Sequence, residues 1–324
     1  MKILITHTDM DGYGGNILEK LYHDKLDFDS VYNMNYGLAD TDEAKALMIP
    51  DNEIIMMDLS IPEKDFIEWK RILRDFHVYD HHSSSEYLSK YEGNVWNTSL
   101  CGTGLFWKYY VEPRVSGLVE SYILENTQKL VTIIDTYDRW QEDSPLWDTA
   151  KKLMKVNMGY GKNFTDHMID KILHSTPDRW TSKELDIIKE KEETENNILS
   201  DLEKDLQIRT DNSGHTFTIV PIEYTPAVSV CCSEFLKKHE EIDYMIVYNR
   251  WKKKMSWRTR KDIDLTNIHG VSGHQKAAGS EGGRFIDSLV TYGCCPRWVI
   301  NERKSATPII EKCRNISVDI SKIF

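Results

Sequence analysis

The sequence predicts an α/β protein whose N-terminal part is built on a parallel sheet. Short apolar runs, typical of buried strands, alternate there with segments of helical periodicity. Three of the runs end in clusters of acidic residues and histidines. In parallel α/β sheets ligands bind at the carboxyl ends of strands, because loops and helix N-termini converge there. We therefore expect a functional site along that edge.

The first predicted strand and helix are separated by a polar cluster. Residues 2–5 form an apolar run, and residues 12–25 have the apolar spacing of a helix. Alternate side chains of an extended segment share a face, so His7, Asp9 and Asp11 can converge on one point. A polar loop with Asp11 as a helix cap explains this segment equally well.

Two more predicted strands end in acidic or imidazole side chains. Residues 53–57 precede Asp58, and Pro62 then opens a predicted helix, so Asp58 alone is also explained as a residue at a helix start. The run before Asp80-His81-His82 is more informative, since an acid and two imidazoles directly after a strand have few structural uses. Neighbouring side chains of an extended chain point in opposite directions, so one histidine can face a metal and the other a substrate.

A further apolar run, residues 130–134, ends at Asp135 and adds another carboxylate. Together with the residues above, it supplies enough oxygen and imidazole ligands for two divalent ions. Carboxylate and imidazole ligands without thiolate favour Mn²⁺, with Mg²⁺ or Co²⁺ as substitutes.

The rest of the chain predicts a second domain. At 324 residues the chain exceeds the usual size of one hydrophobic core. Residues 181–206 are highly charged with sparse apolar positions, which predicts a helix that either joins two domains or packs on one of them. Strands are predicted near residues 216–222, 244–248 and 254–258. We expect a catalytic domain at 1–180, a helical linker at 181–206 and a smaller α/β domain at 207–324.

Composition narrows the partners and the compartment. The net charge of −11 argues against a protein that coats long duplex DNA. No apolar stretch is long enough to span a bilayer, and the N-terminus has no secretory pattern. The six cysteines show no CxxC spacing. We expect reduced thiols in a cytoplasmic protein that does not bind membranes.

These residues, in this order and spacing, resemble the successive motifs of the DHH phosphoesterase family: His7, Asp9, Asp11, Asp58, Asp80-His81-His82 and Asp135. Residues 272–279 resemble the Gly-Gly-His-x-x-Ala-x-Gly signature of the DHH-associated substrate domain, with Ser272 in place of the first glycine. Residues 255–259 resemble the strand ending in Arg-Ser that precedes this signature. The resemblance thus covers nearly the whole chain.

The resemblance implies a role for each matching residue, with the active site in the cleft between the two domains. For the metal ions, it implies that His7 and Asp9 bind one ion, that Asp11, His81 and Asp135 bind the other, and that Asp58 bridges them. Which ion His7 contacts stays open. Asp80 would orient a ligand histidine, and His82 would touch the scissile phosphate or its leaving group. In the second domain, a substrate phosphate would be held by Arg258 and His274, with Gly273 and Gly279 allowing close approach of the backbone.

The family resemblance also implies a reaction, in-line attack on phosphorus by a hydroxide held between two Mn²⁺ ions. Residues 134–140 are most similar to NrnB-type oligoribonucleases, so the first expectation is hydrolysis of short single-stranded RNA or DNA to mononucleotides. Tyr137, Trp140 and Trp257 could stack on bases or pack in the core. The sequence leaves the oligomeric state open, and a homodimer is one of the assemblies that it allows.

The sequence favours three other functions less strongly. The nearest is a phosphodiesterase for cyclic or linear dinucleotides, or a phosphatase for 3′-phosphoadenosine 5′-phosphate. A nucleotide-binding regulator without catalysis is disfavoured because every predicted ligand position is filled. A pyrophosphatase is disfavoured because the C-terminal signature resembles the branch of the family that cleaves nucleic acids.

Overall fold

The computed structural model of the chain describes residues 1–204, 206–211, 213–222, 228–249, 254–268 and 271–281. The chain divides into two compact units, with the boundary after Lys189. In the described part of the chain, no helix has both the length and the apolar character needed to cross a membrane.

The first unit contains a parallel five-stranded sheet with the strand order β2-β1-β3-β4-β5. Its strands are β1 (Lys2–Thr6), β2 (Ser30–Asn33), β3 (Glu53–Met57), β4 (Asp75–Asp80) and β5 (Val95–Trp96). The predicted strands at 2–5, at 53–57 and directly before Asp80 are therefore confirmed.

Helices surround this sheet. In the first half of the unit they are α1 (Met10–Leu21), α2 (His23–Leu26), α3 (Asp42–Leu47) and α4 (Glu63–Ile72), with 3₁₀ turns at Leu38–Asp40 and Ser83–Lys90. A helical stretch then runs through α5 (Gly102–Phe106), a π-helical turn (Trp107–Val111) and α6 (Glu112–Val115). It is followed by α7 (Ser121–Asp138), α8 (Trp147–Tyr160), the 3₁₀ turn Gly161–Asn163 and α9 (Phe164–His174). Helix α10 spans Ser182–Lys204, close to the helix predicted at 181–206.

Both faces of the sheet are buried at the central strands β1 and β3, which explains why these strands are apolar at successive positions. Ile3 and Ile54 face one way and pack with Phe66 of α4. Leu4 and Ile55 face the other way and pack with the α5 region. A further apolar cluster joins α1, α7, α8 and α9.

The second unit contains a mixed six-stranded sheet with the strand order β10-β11-β9-β8-β7-β6. Its strands are β6 (Arg209–Thr210), β7 (Thr216–Ile222), β8 (Tyr244–Asn249), β9 (Lys254–Thr259), β10 (Ser272–His274) and β11 (Ala277–Glu281). Strands β7 and β8 are parallel, and the other pairs are antiparallel. Helix α11 (Val228–Lys238) packs on this sheet through Phe235, and a 3₁₀ turn lies at Leu265–Asn267.

The predicted strands of the second unit are confirmed at 216–222, 244–248 and 254–258. The apolar run 130–134 and Asp135, to which no element was assigned from the sequence, both lie within the long helix α7. Its apolar side chains pack against α8 and α9, which gives a helix the same local apolar content as a buried strand.

Candidate metal centre

Side chains of the site follow the carboxyl ends of three adjacent strands. His7 follows β1, Asp58 follows β3, and His81 and His82 follow β4. Asp58 has a left-handed backbone with φ of 57°, and its N–H donates to Tyr79 O on β4 at 3.0 Å. A non-glycine residue rarely adopts this conformation, and such residues cluster at functional sites.

His7, Asp9 and Asp58 form the first group that can hold a metal ion. His7 Nδ1 lies 2.8 Å from Asp9 Oδ2 and 3.6 Å from Asp58 Oδ2. Asp9 also caps α1, since its Oδ1 accepts from Gly12 N at 3.0 Å. The cap of this helix is therefore Asp9 and not Asp11, so the Asp11 carboxylate is not used to cap α1.

His81 lies among three carboxylates. Its Nε2 is 3.3 Å from Asp138 Oδ2, 3.4 Å from Asp58 Oδ1 and 3.9 Å from Asp11 Oδ2. Asp11, His81 and Asp138 form a second group with metal-binding spacing. Asp58 turns one oxygen toward His7 and the other toward His81, so a single carboxylate adjoins both groups.

Asp80 holds His82. Its Oδ1 lies 2.6 Å from His82 Nδ1 and accepts from His81 N at 2.9 Å, so both neighbouring histidines depend on one buried carboxylate. On the opposite edge of the ring, His82 Nε2 lies 2.8 Å from the Tyr36 hydroxyl. Tyr36, which sequence reasoning missed, also packs on the His7 ring with centroids 4.7 Å apart, and about half of it stays exposed. No motif marks it in the sequence.

The start of α5 fixes Asp11. Its two carboxylate oxygens accept from Gly102 N and Thr103 N, each at 2.7 Å, and the carboxylate is fully buried. A Cβ at Gly102 would lie 3.0 Å from Asp11 Oδ2 and 2.5 Å from Asp58 Cβ. Glycine is therefore required there so that the helix start can approach both carboxylates.

Asp135 lies outside both of these groups. Its Oδ1 accepts from Cys101 N at 2.7 Å, and its Oδ2 accepts from Gln141 Nε2 at 2.8 Å. Asp138, one turn later on α7, approaches His81 instead. Asp138, and not Asp135, therefore belongs to the group with metal-binding spacing around Asp11 and His81. Two acids three residues apart on a helix share a face, and that spacing was the available signal.

Burial and mutual repulsion dominate the electrostatics of the site. Burial raises the pKa of Asp58 and of Asp138 well above the usual value, and the charges of Asp11 and Asp9 raise it further. Burial lowers the pKa of His81, which favours the neutral imidazole that metals bind. Burial also lowers the pKa of His82, but its hydrogen bond and ion pair with Asp80 outweigh burial and raise the pKa overall.

A divalent cation fits this donor set. Within the described residues, no hydrogen bond of normal geometry reaches the buried Oδ2 of Asp58 or of Asp138. Buried carboxylate oxygens are costly unless a donor or a metal compensates them. The donors are carboxylates and imidazoles, the set expected for Mn²⁺ or related ions. The metal would be held by His7, Asp9, Asp11, Asp58, His81 and Asp138.

The remaining predicted residues belong to the second unit. Arg258 on β9 donates from Nη2 to Ser229 Oγ at 2.9 Å and from Nη1 to Trp257 O at 2.8 Å. Gly279 lies on β11, where a Cβ would make only an ordinary 3.6 Å contact with Met255 O. Gly273 pairs with Ala278 in the β10–β11 ladder, and the side chain of His274 lies outside the described residues.

The three aromatic side chains considered for base stacking differ in how they pack. Trp257 is fully buried beside Tyr244, so of the two interpretations, base stacking and core packing, its burial supports core packing. Tyr137 stacks on Trp147, whose ring is nearly buried. Trp140 packs edge-on against Trp147 and has φ of 53°, so its position in the turn after Asp138 is strained.

No family model matches the sequence, and no curated protein matches it. Solved structures do match. The DHH domain of a member of a family of ribosomal proteins aligns with a TM-score of 0.58 at 16% identity, over 96% of this chain and 85% of that chain. The pGpG-specific phosphodiesterase PggH from Vibrio cholerae aligns with a TM-score of 0.54 at 14% identity, over 95% of this chain and 99% of that chain.

RecJ from Thermus thermophilus in complex with Mn²⁺ aligns with a TM-score of 0.53 at 14% identity, over 98% of this chain and 53% of that chain. At these identities the likeness is one of fold. The parallel sheet, the helices around it and the second mixed sheet are those of the DHH proteins, and the fold expected from the sequence motifs is confirmed.

Proposed function

We propose that this chain, which has the fold of the DHH proteins, is a Mn²⁺-dependent phosphodiesterase that hydrolyses short single-stranded oligonucleotides to mononucleotides. The observation that carries the proposal is the position of Asp58, whose two oxygens adjoin His7 on one side and His81 on the other. A carboxylate that adjoins both metal-binding groups could bring two ions close together, and two nearby ions are the feature that two-metal phosphoesterases use.

The residues divide into two ligand sets. His7 and Asp9 would hold one ion, Asp11, His81 and Asp138 would hold the other, and Asp58 would belong to both. When bound, the metal ions would supply an activated water and neutralise charge that develops on the phosphoryl oxygens. In this proposal Asp138 takes the place given to Asp135 from the sequence.

The chain's own residues would prepare the site for an anionic substrate. Asp80 fixes the ring of His82, which leaves Nε2 directed away from Asp80 and toward Tyr36. His82, held with a raised pKa by that carboxylate, would donate a hydrogen bond to the scissile phosphate or its leaving group. The Tyr36 hydroxyl contacts the same nitrogen and would lie beside the substrate there.

The second unit would bind substrate. Arg258 would hold a phosphate, since a guanidinium presents several donors to one anion. Its contact with Ser229 leaves it beside the start of α11, where backbone N–H groups favour anions. His274, Gly273 and Gly279 keep their proposed roles from the motif resemblance.

A second candidate is hydrolysis of a linear dinucleotide. It is favoured by the fold likeness to the pGpG-specific phosphodiesterase, which this chain matches over nearly its whole length. Both reactions break a phosphodiester bond and would use the same metal-binding residues, so only substrate length separates them.

The test is a substrate series with Mn²⁺. It would contain single-stranded RNA and DNA of graded length, linear and cyclic dinucleotides, 3′-phosphoadenosine 5′-phosphate and pyrophosphate, with His81→Ala as control. Mononucleotide release from strands of several lengths, fastest for the shorter ones, supports the oligonucleotidase. Turnover of dinucleotides alone supports the second candidate. No turnover of any substrate by the wild-type protein would refute both.

A further inference from the structure

We propose that Asp135 is a positioning residue that holds the metal ligand Asp11 through the start of helix α5, given that the proposed metal centre is correct. The first observation is a row of consecutive backbone amides. Cys101 N donates to Asp135 Oδ1 at 2.7 Å. The next two amides, Gly102 N and Thr103 N, donate to the two oxygens of Asp11, also at 2.7 Å.

These three hydrogen bonds link two carboxylates through consecutive backbone amides. A displacement of Cys101 from Asp135 would therefore also shift the neighbouring amides that donate to Asp11. The hydroxyl of Thr103 adds a bond to the backbone oxygen of Asp11. The orientation of the Asp11 carboxylate therefore depends on where Asp135 holds Cys101.

Asp135 is itself anchored on its other side. Gln141 Nε2 donates to Oδ2 at 2.8 Å, and Arg139 Nε lies 3.2 Å from Oδ1. Arg139 is held in turn through a bond from Nη1 to Thr98 O at 3.3 Å. Both oxygens of Asp135 are thus engaged by the protein, whereas Oδ2 of Asp138 accepts no hydrogen bond within the described chain.

Two acids on one turn of α7 would therefore have different roles. Asp138 would bind the metal directly, and Asp135 would fix the backbone that orients a second ligand. Groups that orient metal ligands commonly change metal affinity by roughly 10- to 100-fold when they are removed. Asp135 offers the same kind of support through backbone amides.

The experiment compares Asp135→Ala, Asp135→Asn and Asp138→Asn in the full chain, with Glu125→Ala as a control for loss of an acid elsewhere on the same helix. Two readouts are used. Amide hydrogen exchange of the metal-free protein reports on residues 101–104, and calorimetric titration with Mn²⁺ alone reports affinity and stoichiometry.

We expect Asp135→Ala to lose exchange protection at 101–104 and to bind two Mn²⁺ ions, one of them roughly 10- to 100-fold more weakly. Asp135→Asn should restore both properties, because its amide oxygen can still accept from Cys101. Asp138→Asn should keep the exchange protection and bind one ion fewer. Glu125→Ala should match the wild-type protein in both readouts.

Two results would overturn the inference. Loss of one Mn²⁺ ion in Asp135→Asn, as in Asp138→Asn, would make Asp135 a ligand. Unchanged exchange in Asp135→Ala would show that it does not hold the helix start. Absence of Mn²⁺ binding by the wild-type protein would instead remove the proposed function, and the exchange measurement would still decide whether Asp135 holds the helix.

Discussion

Gly102 lies against Asp58 so closely that a Cβ on the glycine would fall 2.5 Å from Cβ of the aspartate. The backbone of Asp58 is also too close, with Cα at 2.9 Å, so a side-chain rotation cannot relieve the clash. The start of α5 and the left-handed turn at Asp58 therefore constrain each other, and both border the proposed metal centre.

Gly102→Ala should separate Asp58 from Asp11 and lower Mn²⁺-dependent hydrolysis by at least about a hundredfold, more than the loss of a group that only orients a ligand. Steady-state rates on a short oligonucleotide would measure this. Gly104→Ala is the matched control, because the nearest atom to its new Cβ would be Leu100 Cβ at 3.2 Å. Equal rates for the two variants would show that the close approach at Gly102 is not needed.

Asp58→Asn should have opposite effects on activity and on metal-free stability. Burial and the charges of Asp11 and Asp9 raise the pKa of Asp58, so its charge is costly when no cation compensates it. We expect the variant, measured in chelator, to have a higher Tm than the wild-type protein, by roughly 2–4 °C for each kcal/mol of unfavourable charge burial that the substitution removes. Turnover with saturating Mn²⁺ should be lost. Calorimetry and product chromatography would test this, with Asp75→Asn as a control at an exposed acid. Near-normal turnover would contradict the bridging role.

Tyr36→Phe should remove one hydrogen bond and preserve ring packing. The hydroxyl lies 2.8 Å from His82 Nε2, and the ring packs on His7. The expected result is a fall in kcat/KM of roughly fivefold, the usual worth of one hydrogen bond, with unchanged Mn²⁺ affinity. Tyr122→Phe, another half-exposed tyrosine, should behave as wild type. A change in Mn²⁺ affinity would assign Tyr36 to support of the metal ligands instead.

Acid should weaken the fold through Glu184, which lies away from the metal centre. Burial opposes its charge, but bonds from His167, Lys171 and the Thr181 amide lower its pKa to about 2. Because the pKa of Glu184 is lower in the folded state than its value of 4.5 in the unfolded chain, the carboxylate stabilises the fold at pH values above 4.5. That stability is lost as the pH falls from about 4.5 toward about 2. The shift corresponds to about 3 kcal/mol.

Urea unfolding of the wild-type protein and Glu184→Gln at pH 7, 5 and 3.5 would measure this contribution. At pH 7 the variant should be the less stable, because Lys171 would keep a buried charge without its carboxylate. The difference between the two unfolding free energies should shrink at pH 3.5. A difference that does not depend on pH would show that the carboxylate charge is not the stabilising feature.

Much of the site could be predicted from local sequence because its residues directly follow strands. An apolar run of four or five residues that ends in Asp58 or in Asp80-His81-His82 indicates both the strand and the position of the candidate metal ligand. Parallel strands bring their carboxyl ends to one edge, so the meeting of His7, Asp58 and His81 follows from the predicted sheet.

Which of the two acids of α7 approaches His81 could not be predicted in this way. Asp135 and Asp138 are both acids on one helical face, and the choice between them depends on Cys101 and Gln141, which are 34 and 6 residues from Asp135. Tyr36 is a similar case, since its contact with His82 crosses 46 residues of chain. Sequence patterns of short range contain no information about these pairs.

The sequence by itself determined the parallel sheet and the carboxylates and imidazoles that follow its strands, because these depend on periodicity and on residue type. Only the tertiary structure decided that Asp138 faces His81, that Asp135 accepts a hydrogen bond from Cys101 before α5, and that Trp257 is buried. The physical reason is that burial and hydrogen-bond partners are set by packing between distant segments, where a shift of one helical turn exchanges one carboxylate for the other.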